Sequence, residues 1–434
     1  MRVVIIGGGL TGLVAGERLA SRGLDAPVLE REPEPGGACR SLARSGYVFD
    51  HTGHLLHVGR PETESYLAEL GVWDELVVWE RRAAIVVGGH VTPYPIQIHT
   101  HGLAPAVRRD CLLGFIRAWA DAADDKPESF REWVLERFGV GLAEHFFFPY
   151  NRKLYRAEPE ELALDWVGRY VPKPDLEQVV DGAFGLHNSR VGYNAVFRYP
   201  EVGGIRLLPD RVASRVPGLR TSTEVVRLSL AGRWIETAAG ERLDFDVVVA
   251  TISLPALLDM VVDELPGEVA SACRALRWVR VLNIALGARG PAPVTEHWRY
   301  FPDPALPYYR VGFPSNHGQL APDGCHTVSV EVSLDPGGGD VEATAVASEA
   351  ALAAAGLVDP ATVEVRQLTM VDPAYVVHDH PRRHAVAVLR RYLGEHGVRL
   401  AGRWAEWKYS AMEDAILDGM AAARRIFEPE TAGP

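Results

Sequence analysis

The chain opens on a short unbroken apolar run, Arg2-Val3-Val4-Ile5-Ile6, which leads into Gly7-Gly8-Gly9-Leu10-Thr11-Gly12 and then into a helical pattern from Leu13 to Arg22. A buried strand, a glycine-rich turn and a helix are the elements this pattern predicts. A second strand, Ala26-Pro27-Val28-Leu29, ends on an acid, Glu30. Gly46 to Asp50 reads as a further strand and Pro61 to Leu70 as a helix. Ala83 to Val87, a Gly88-Gly89 turn and His90 to Tyr94 read as a hairpin. From about Leu103 to Tyr170 the pattern becomes helical, most clearly over Ser129 to Phe138. Strand patterns return around Val225 to Leu228, Asp246 to Thr251, Val281 to Leu286 and Thr327 to Val332. An Ala-rich helix is expected over Glu342 to Leu357, and a last block from Leu400 leads to a helix starting close to Ala415.

A chain of 434 residues exceeds one ordinary core. The order of elements predicts an α/β protein in which a Rossmann-like dinucleotide-binding domain is interleaved with a mixed-sheet substrate domain and a helical insert. Residues 1–82, 200–275 and 370–434 are assigned to the first, 83–100 and 276–369 to the second, and 101–199 to the insert, which carries substrate motifs. With 47% hydrophobic and 24% charged residues the composition is that of a globular protein. A formal charge of −12 argues against nucleic acid as a partner. No run of eighteen apolar residues predicts a membrane span, and the N-terminal apolar run belongs to a strand, not to a leader, so a cytoplasmic location is expected. Cys39, Cys111, Cys273 and Cys325 lie far apart and are read as free thiols; neither they nor His51, His57, His99 and His101 show metal-site spacing. Basic residues are nearly all Arg, with lysine only at 126, 153, 173 and 408, a bias read as coding and not as chemistry.

The first turn has the glycines a dinucleotide site needs. Gly7 makes the tight turn, Gly9 lets the backbone approach a pyrophosphate, and Gly12 lets the helix pack on the strand. The phosphates then sit at the helix N-terminus. Glu30, eighteen residues beyond Gly12, is placed to accept from a ribose 2′-hydroxyl, which argues against a 2′-phosphate. A Gly-rich turn that binds nothing is the plainer alternative. A second such turn, Pro35-Gly36-Gly37-Ala38-Cys39-Arg40-Ser41, follows the acid. The pairing resembles the FAD-binding segment of the flavoprotein group that includes amine oxidases, protoporphyrinogen oxidase and UDP-galactopyranose mutase. It makes Gly7, Gly9, Leu10, Thr11, Gly12, Glu30 and Arg31, then Gly37, Ala38, Arg40 and Ser41, candidate FAD contacts. Gly53, His54, Val225, Gly402 and Arg403 join them further along the chain. In Gly402-Arg403-Trp404, Arg403 can add a charge-assisted contact to the flavin, and Trp404 and Trp407 are read as packing residues.

Other fragments narrow the resemblance. Pro149-Tyr150-Asn151-Arg152-Lys153-Leu154-Tyr155, Pro93-Tyr94-Pro95-Ile96-Gln97, Tyr300-Phe301-Pro302, Tyr308-Tyr309-Arg310 and Trp407-Lys408-Tyr409 occur in the order found in UDP-galactopyranose mutases, eukaryotic-type and bacterial. In those enzymes reduced FAD is a nucleophile whose N5 attacks the anomeric carbon as the nucleoside diphosphate leaves. The resemblance implies a nucleotide-sugar mutase interconverting pyranose and furanose forms, fed by an external reductant, with NAD(P)H a candidate. It places His54 and Gly53 by the flavin N5. Arg310, with Tyr375 and Tyr409, would meet the diphosphate, Asn194 the sugar, and Tyr94, Gln97, Asn151 and Tyr300 the nucleoside. His54 and Arg310 are the catalytic candidates. The family's first diphosphate Arg falls on Tyr170, beside Arg169, and a family Tyr becomes His317. Tyr155 replaces a Trp and Ile96 an aromatic residue, and the usual Asn is missing around Ala411 to Asp414. These departures leave an FAD oxidoreductase of amine-oxidase or desaturase type as the alternative. Asp181 to Gly192 is a candidate lid.

Overall fold

Val3–Ile6 is buried on both faces because it is the central strand of a five-stranded parallel sheet, ordered Val398–Leu400, Val247–Ala250, Val3–Ile6, Val28–Leu29 and Leu219–Arg220. Side chains alternate across a strand, so its two faces join different cores. Val3 and Ile5 pack with Leu13 of the first helix and Ile416 of the last. Val4 and Ile6 pack with Val248, Leu257 and Leu389 on the other face. The chain is described here from a computed structural model, over residues 1–121, 126–168, 171–186 and 195–428.

A second, seven-stranded sheet is ordered Val363–Val376, Trp278–Arg289, Cys325–Leu334, Arg310–Gly312, Trp298–Tyr300, Ala83–Val87 and His90–Pro93. It is mixed: Trp298–Tyr300 runs parallel to Ala83–Val87, and the other pairs are antiparallel. One face, with Leu282, Ile284, Val328 and Val330, is closed by Ala345 and Leu352 of the helix Val341–Ala354. The other face carries Asn283, Ser329 and Glu331, a polar set that cannot be left bare and which faces the site described below. A third core, rich in Phe and Trp, joins the helices Pro105–Ala120, Phe130–Leu142 and Phe148–Tyr155. The fold is therefore α/β, with a parallel sheet, a mixed sheet and an added helical layer. No helix among the described residues is long and apolar enough to cross a membrane.

Several elements differ from the sequence pattern, each for a local reason. The first helix starts at Leu10, not Leu13, because Gly9 is already its N-cap. The helical pattern read through to Tyr170 stops at Tyr155, where Arg156 turns left-handed at φ 50° and Pro159 follows; 157–168 is irregular. The last helix begins at Met412, three residues before Ala415, because the Asp414 carboxylate accepts the Ala411 N–H at 2.7 Å. Residues 370–376, grouped with the nucleotide-binding unit in the sequence reading, continue one long strand of the mixed sheet. Val196–Pro200, at the end of the helical insert, pairs with Leu76–Glu80. Arg169, Tyr170 and Asn194, and much of the 181–192 stretch, lie outside the described residues.

Candidate functional site

The two glycine-rich turns touch. Gly36 donates to the Gly8 carbonyl at 2.8 Å, and a Cβ on Gly37 would come within 3.1 Å of the Gly9 Cα. Gly12 has no room for a side chain: a Cβ there would lie 2.0 Å from the Gly7 carbonyl oxygen. Leu13 is the first residue to donate back into the helix, to Gly9, so the N–H groups of Leu10 to Gly12 have no acceptor within it. Glu30 sits at the end of its strand as expected and fixes the turn directly, accepting from the N–H of Gly8 at 2.7 Å and of Glu32 at 2.9 Å. Glu30→Ala is therefore expected to lower the FAD content of purified protein, and full yellow colour in that variant would count against a role at the turn.

From these turns a cleft of about 1960 Å³, counting its open mouth, runs to the mixed sheet. Gly9, Leu10, Thr11, Ala38 and Cys39 line one end, and Arg403, Met412 and Ala415 a wall. Gly53, His54, Tyr300, Tyr309, Arg310, Tyr375 and Tyr409 line the other end. A helix N-terminus with unpaired N–H groups at the cleft, a backbone approach free of side chains and a deep cleft fit a dinucleotide such as FAD. Candidates outside the lining are Gly7, Gly12 and Gly37, which shape the turns, Glu30, whose carboxylate is engaged by the turn's own N–H groups and not placed toward a ribose, and Gly402, which packs against Thr11. Arg31 pairs with Glu32 at the surface, Arg40 bonds the Gly37 carbonyl and Glu32, and Val225 is buried in the core around Val4 and Leu29. Ser41 donates to Asp50 at 2.6 Å and does not face the cleft.

Asp50, in the lining, also accepts from Tyr199 at 2.6 Å and the Ile205 N–H at 3.2 Å. Burial raises its carboxyl from 3.8 to about 6 despite these donors. The folded protein thus keeps a proton the unfolded chain releases: this contribution is fully present below about 3.8 and is lost as pH rises through about 6. By linkage the window is worth up to about 3 kcal/mol. Between pH 4 and 7 the unfolding free energy of wild type is expected to fall relative to Asp50→Asn; parallel curves would contradict it.

At the far end, Arg310 forms an ion pair with Glu331, which also accepts from the Tyr309 hydroxyl at 2.5 Å and the Gly53 N–H at 3.3 Å. Burial is the largest influence and opposes the Arg310 charge, but Glu331 together with Tyr375, Tyr309 and Tyr300 outweighs it and holds the guanidinium well above its usual range. Glu331, 2% exposed, was not singled out from sequence. The alternation Thr327-Val328-Ser329-Val330-Glu331-Val332 carries the signal, since it places Thr, Ser and Glu on one face and the valines on the other. His54 bonds Thr52 through Nδ1, and burial drives its imidazole down to about 4, so it is neutral near pH 7. Tyrosine rings form a chain: Tyr94 to Tyr300 at 5.4 Å, Tyr300 to Tyr150 at 5.5 Å, Tyr150 to Tyr309 at 6.2 Å, Tyr309 to Tyr375 at 6.5 Å. Burial lifts the Tyr375 phenol to about 12, so it stays a hydroxyl donor.

Arg403 is placed between these groups, 5.1 Å from the Tyr375 ring and 5.3 Å from the Tyr409 ring. Its terminal nitrogens donate to the carbonyls of Ser410 and Ala374. Trp404 lines the cleft, and Trp407 is fully buried. Four nucleoside-side candidates are directed elsewhere. Ile96 is core, Gln97 donates to the Pro172 carbonyl, Asn151 donates to the Phe147 carbonyl, and Tyr155 packs on Trp166 and Tyr375. His317 lines the cleft with its ring against Tyr199, Phe197 and His297, and burial takes it down to about 3.

Residues 10–427 match the family described as flavin containing amine oxidoreductase, and the chain belongs to that family; its cofactor is FAD. Among its relatives, the probable UDP-galactopyranose mutase of Klebsiella pneumoniae is 27% identical over 165 residues, 37% of this chain and 42% of that protein. The dTDP-fucopyranose mutase of Escherichia coli is 24% identical over 170 residues, 37% of this chain and 43% of that protein. Protoporphyrinogen oxidase 2 of Arabidopsis thaliana is 26% identical over 175 residues, 38% of this chain and 34% of that protein. The matched stretch thus spans less than half the length of these relatives. In structure the chain is similar to a reduced UDP-galactopyranose mutase, with a TM-score of 0.91 and 24% identity over 99% of this chain and 96% of that one. It is also similar to a protoporphyrinogen oxidase homologue from Exiguobacterium sp. 255-15, with a TM-score of 0.72 and 15% identity over 98% of each. At these identities the structural likeness shows the fold.

Proposed function

We propose that this protein is a flavin-dependent mutase that interconverts the pyranose and furanose forms of a nucleoside diphosphate sugar. The observation that carries the reading is the far end of the cleft, where a half-buried, charged Arg310 stands beside the hydroxyls of Tyr300 and Tyr375. An anionic leaving group needs such a surface, and an amine or a hydrocarbon does not. Relatives named UDP-galactopyranose and dTDP-fucopyranose mutase support it. Reduced FAD would supply a nucleophilic nitrogen at the anomeric carbon, drawing its electrons from an external reductant such as NAD(P)H.

The task of the chain is then positioning and charge. Arg310, Tyr375 and Tyr409 face the diphosphate as its charge grows. Gly53 and His54 hold the loop by the flavin, and because His54 is uncharged it offers the leaving group no competing cation. Among the remaining candidates, Tyr300 lines the cleft and, backed by the Tyr94 ring, gives an aromatic surface suited to a base.

One observation favours an FAD oxidoreductase instead: the Arg310 charge is already met by Glu331, which weakens its field on a ligand. Titration calorimetry of the FAD-loaded, reduced protein with UDP and with dTDP separates the two. The mutase reading predicts saturable binding of at least one. Binding of neither, together with oxygen uptake by the oxidised protein on an amine or alcohol, would establish the oxidoreductase.

A further inference from the structure

Lys153 lies in the last turn of the helix Phe148–Tyr155 and reaches the loop that joins the strands Trp298–Tyr300 and Arg310–Gly312. Its Nζ donates to the carbonyls of Phe301 at 2.8 Å, Asp303 at 2.7 Å and Tyr308 at 2.5 Å. An ammonium has three N–H donors, and here each has its own acceptor. Burial draws the amine down from 10.5 to about 7, partly offset by Asp303, so three carbonyl bonds are needed to hold a charge there.

The hairpin carries Tyr300, Tyr309 and Arg310, which line the proposed nucleotide site, and the helix backs it through Tyr150, whose ring meets those of Tyr300 and Tyr309. The bonds Phe301 N–H to Tyr309 O at 2.9 Å, Leu306 N–H to Asp303 O at 3.2 Å and Ala305 N–H to the Asp303 carboxylate at 2.9 Å close the loop on itself. Lys153 ties it by polar bonds to the helix, beside the 5.5 Å ring contact of Tyr150 with Tyr300.

We propose that Lys153 is a positioning residue that clamps the Tyr300–Arg310 hairpin to the Tyr150–Tyr155 helix and so fixes the wall of the cleft that bears Tyr300, Tyr309 and Arg310. The inference rests on the nucleotide-sugar reading for its functional half and on the three carbonyl bonds for its structural half.

Lys153→Met fills the same space without a donor. In the FAD-loaded protein, hydrogen exchange at the Phe301 and Tyr309 amides is expected to speed up at least about tenfold, the scale of losing charged hydrogen bonds, while exchange at Val249 in the parallel sheet stays unchanged. The dissociation constant for UDP or dTDP, whichever binds wild type, should rise at least about threefold in parallel. Lys153→Arg, which keeps charge and several donors, should recover most of both, and it carries the test if the Met variant does not fold. Unchanged exchange at Phe301 and Tyr309 overturns the clamp. Faster exchange with unchanged nucleotide affinity overturns its role in positioning. If wild type binds neither nucleotide, the functional reading fails, and exchange still decides the clamp.

Discussion

Replacing Arg310 by Met is expected to weaken binding of UDP or dTDP at least about tenfold, because a hydrogen bond to a charged group contributes roughly 1.5–3 kcal/mol. The same change should also destabilise the fold. Glu331 would keep the Tyr309 hydroxyl and the Gly53 N–H but lose its cation in a buried site. Breaking such a pair from one side costs about 3–5 kcal/mol. The two effects separate in the double variant Arg310→Met with Glu331→Gln, which removes both charges. Thermal unfolding of the FAD-loaded protein should return close to wild type, while calorimetry should show nucleotide binding still lost. If the double variant binds as tightly as wild type, Arg310 does not meet the ligand and its charge serves Glu331 alone.

Gly12→Ala carries the second large effect. A Cβ there would sit 2.0 Å from the Gly7 carbonyl oxygen and 3.0 Å from Thr251 Oγ1. The first obstacle is backbone, held by the hydrogen bond from Thr251 Oγ1 to Gly7 O at 3.1 Å, so the turn must move. Forcing even one extra carbon into a tight site costs about 1–3 kcal/mol, and here the displaced atoms are those that approach the pyrophosphate. Flavin affinity should fall at least about tenfold, and the purified protein should be largely colourless. Gly267→Ala, where an added Cβ meets nothing within 4 Å, is the control and should stay yellow. A yellow Gly12→Ala protein would show that the turn tolerates displacement.

How much of this was legible in the sequence depended on how local its causes were. The strand, turn and helix of residues 3–20 could be read because Gly7, Gly9 and Gly12 each answer a constraint within a few residues. The hairpin at Gly88-Gly89 was legible for the same reason. Glu331 was legible in principle, as a polar face in an alternating strand, but nothing local said that Arg310 would lie across from it. Their pairing comes from the register Arg310 with Glu331 in adjacent strands, a long-range property. Lys153 was misread as coding bias because its acceptors are backbone carbonyls some 150 residues away, and carbonyls leave no mark in a sequence. Arg403 shows the opposite error. It falls in the cleft as expected, yet two of its nitrogens are taken by the Ser410 and Ala374 carbonyls. Residue type marked the site, and only packing showed which donors remain free.

The residues on the nucleotide side make the same point. Tyr94, Tyr300, Tyr150, Tyr309 and Tyr375 follow one another as a continuous ring chain, whereas Gln97 and Asn151 are turned onto backbone carbonyls. If the proposed nucleotide site is right, an aromatic wall with few free amides would grip a base by stacking more than by hydrogen bonds.

In the proposed function FAD serves ring isomerisation and not hydride transfer. The most direct measurement is proton NMR of a panel of UDP- and dTDP-hexopyranoses incubated anaerobically with the dithionite-reduced, FAD-loaded protein. Furanose anomeric signals should grow in for at least one sugar with the reduced protein and not with the oxidised one. No furanose from any sugar, with substrate turnover tied instead to oxygen consumption by the oxidised protein, would contradict it.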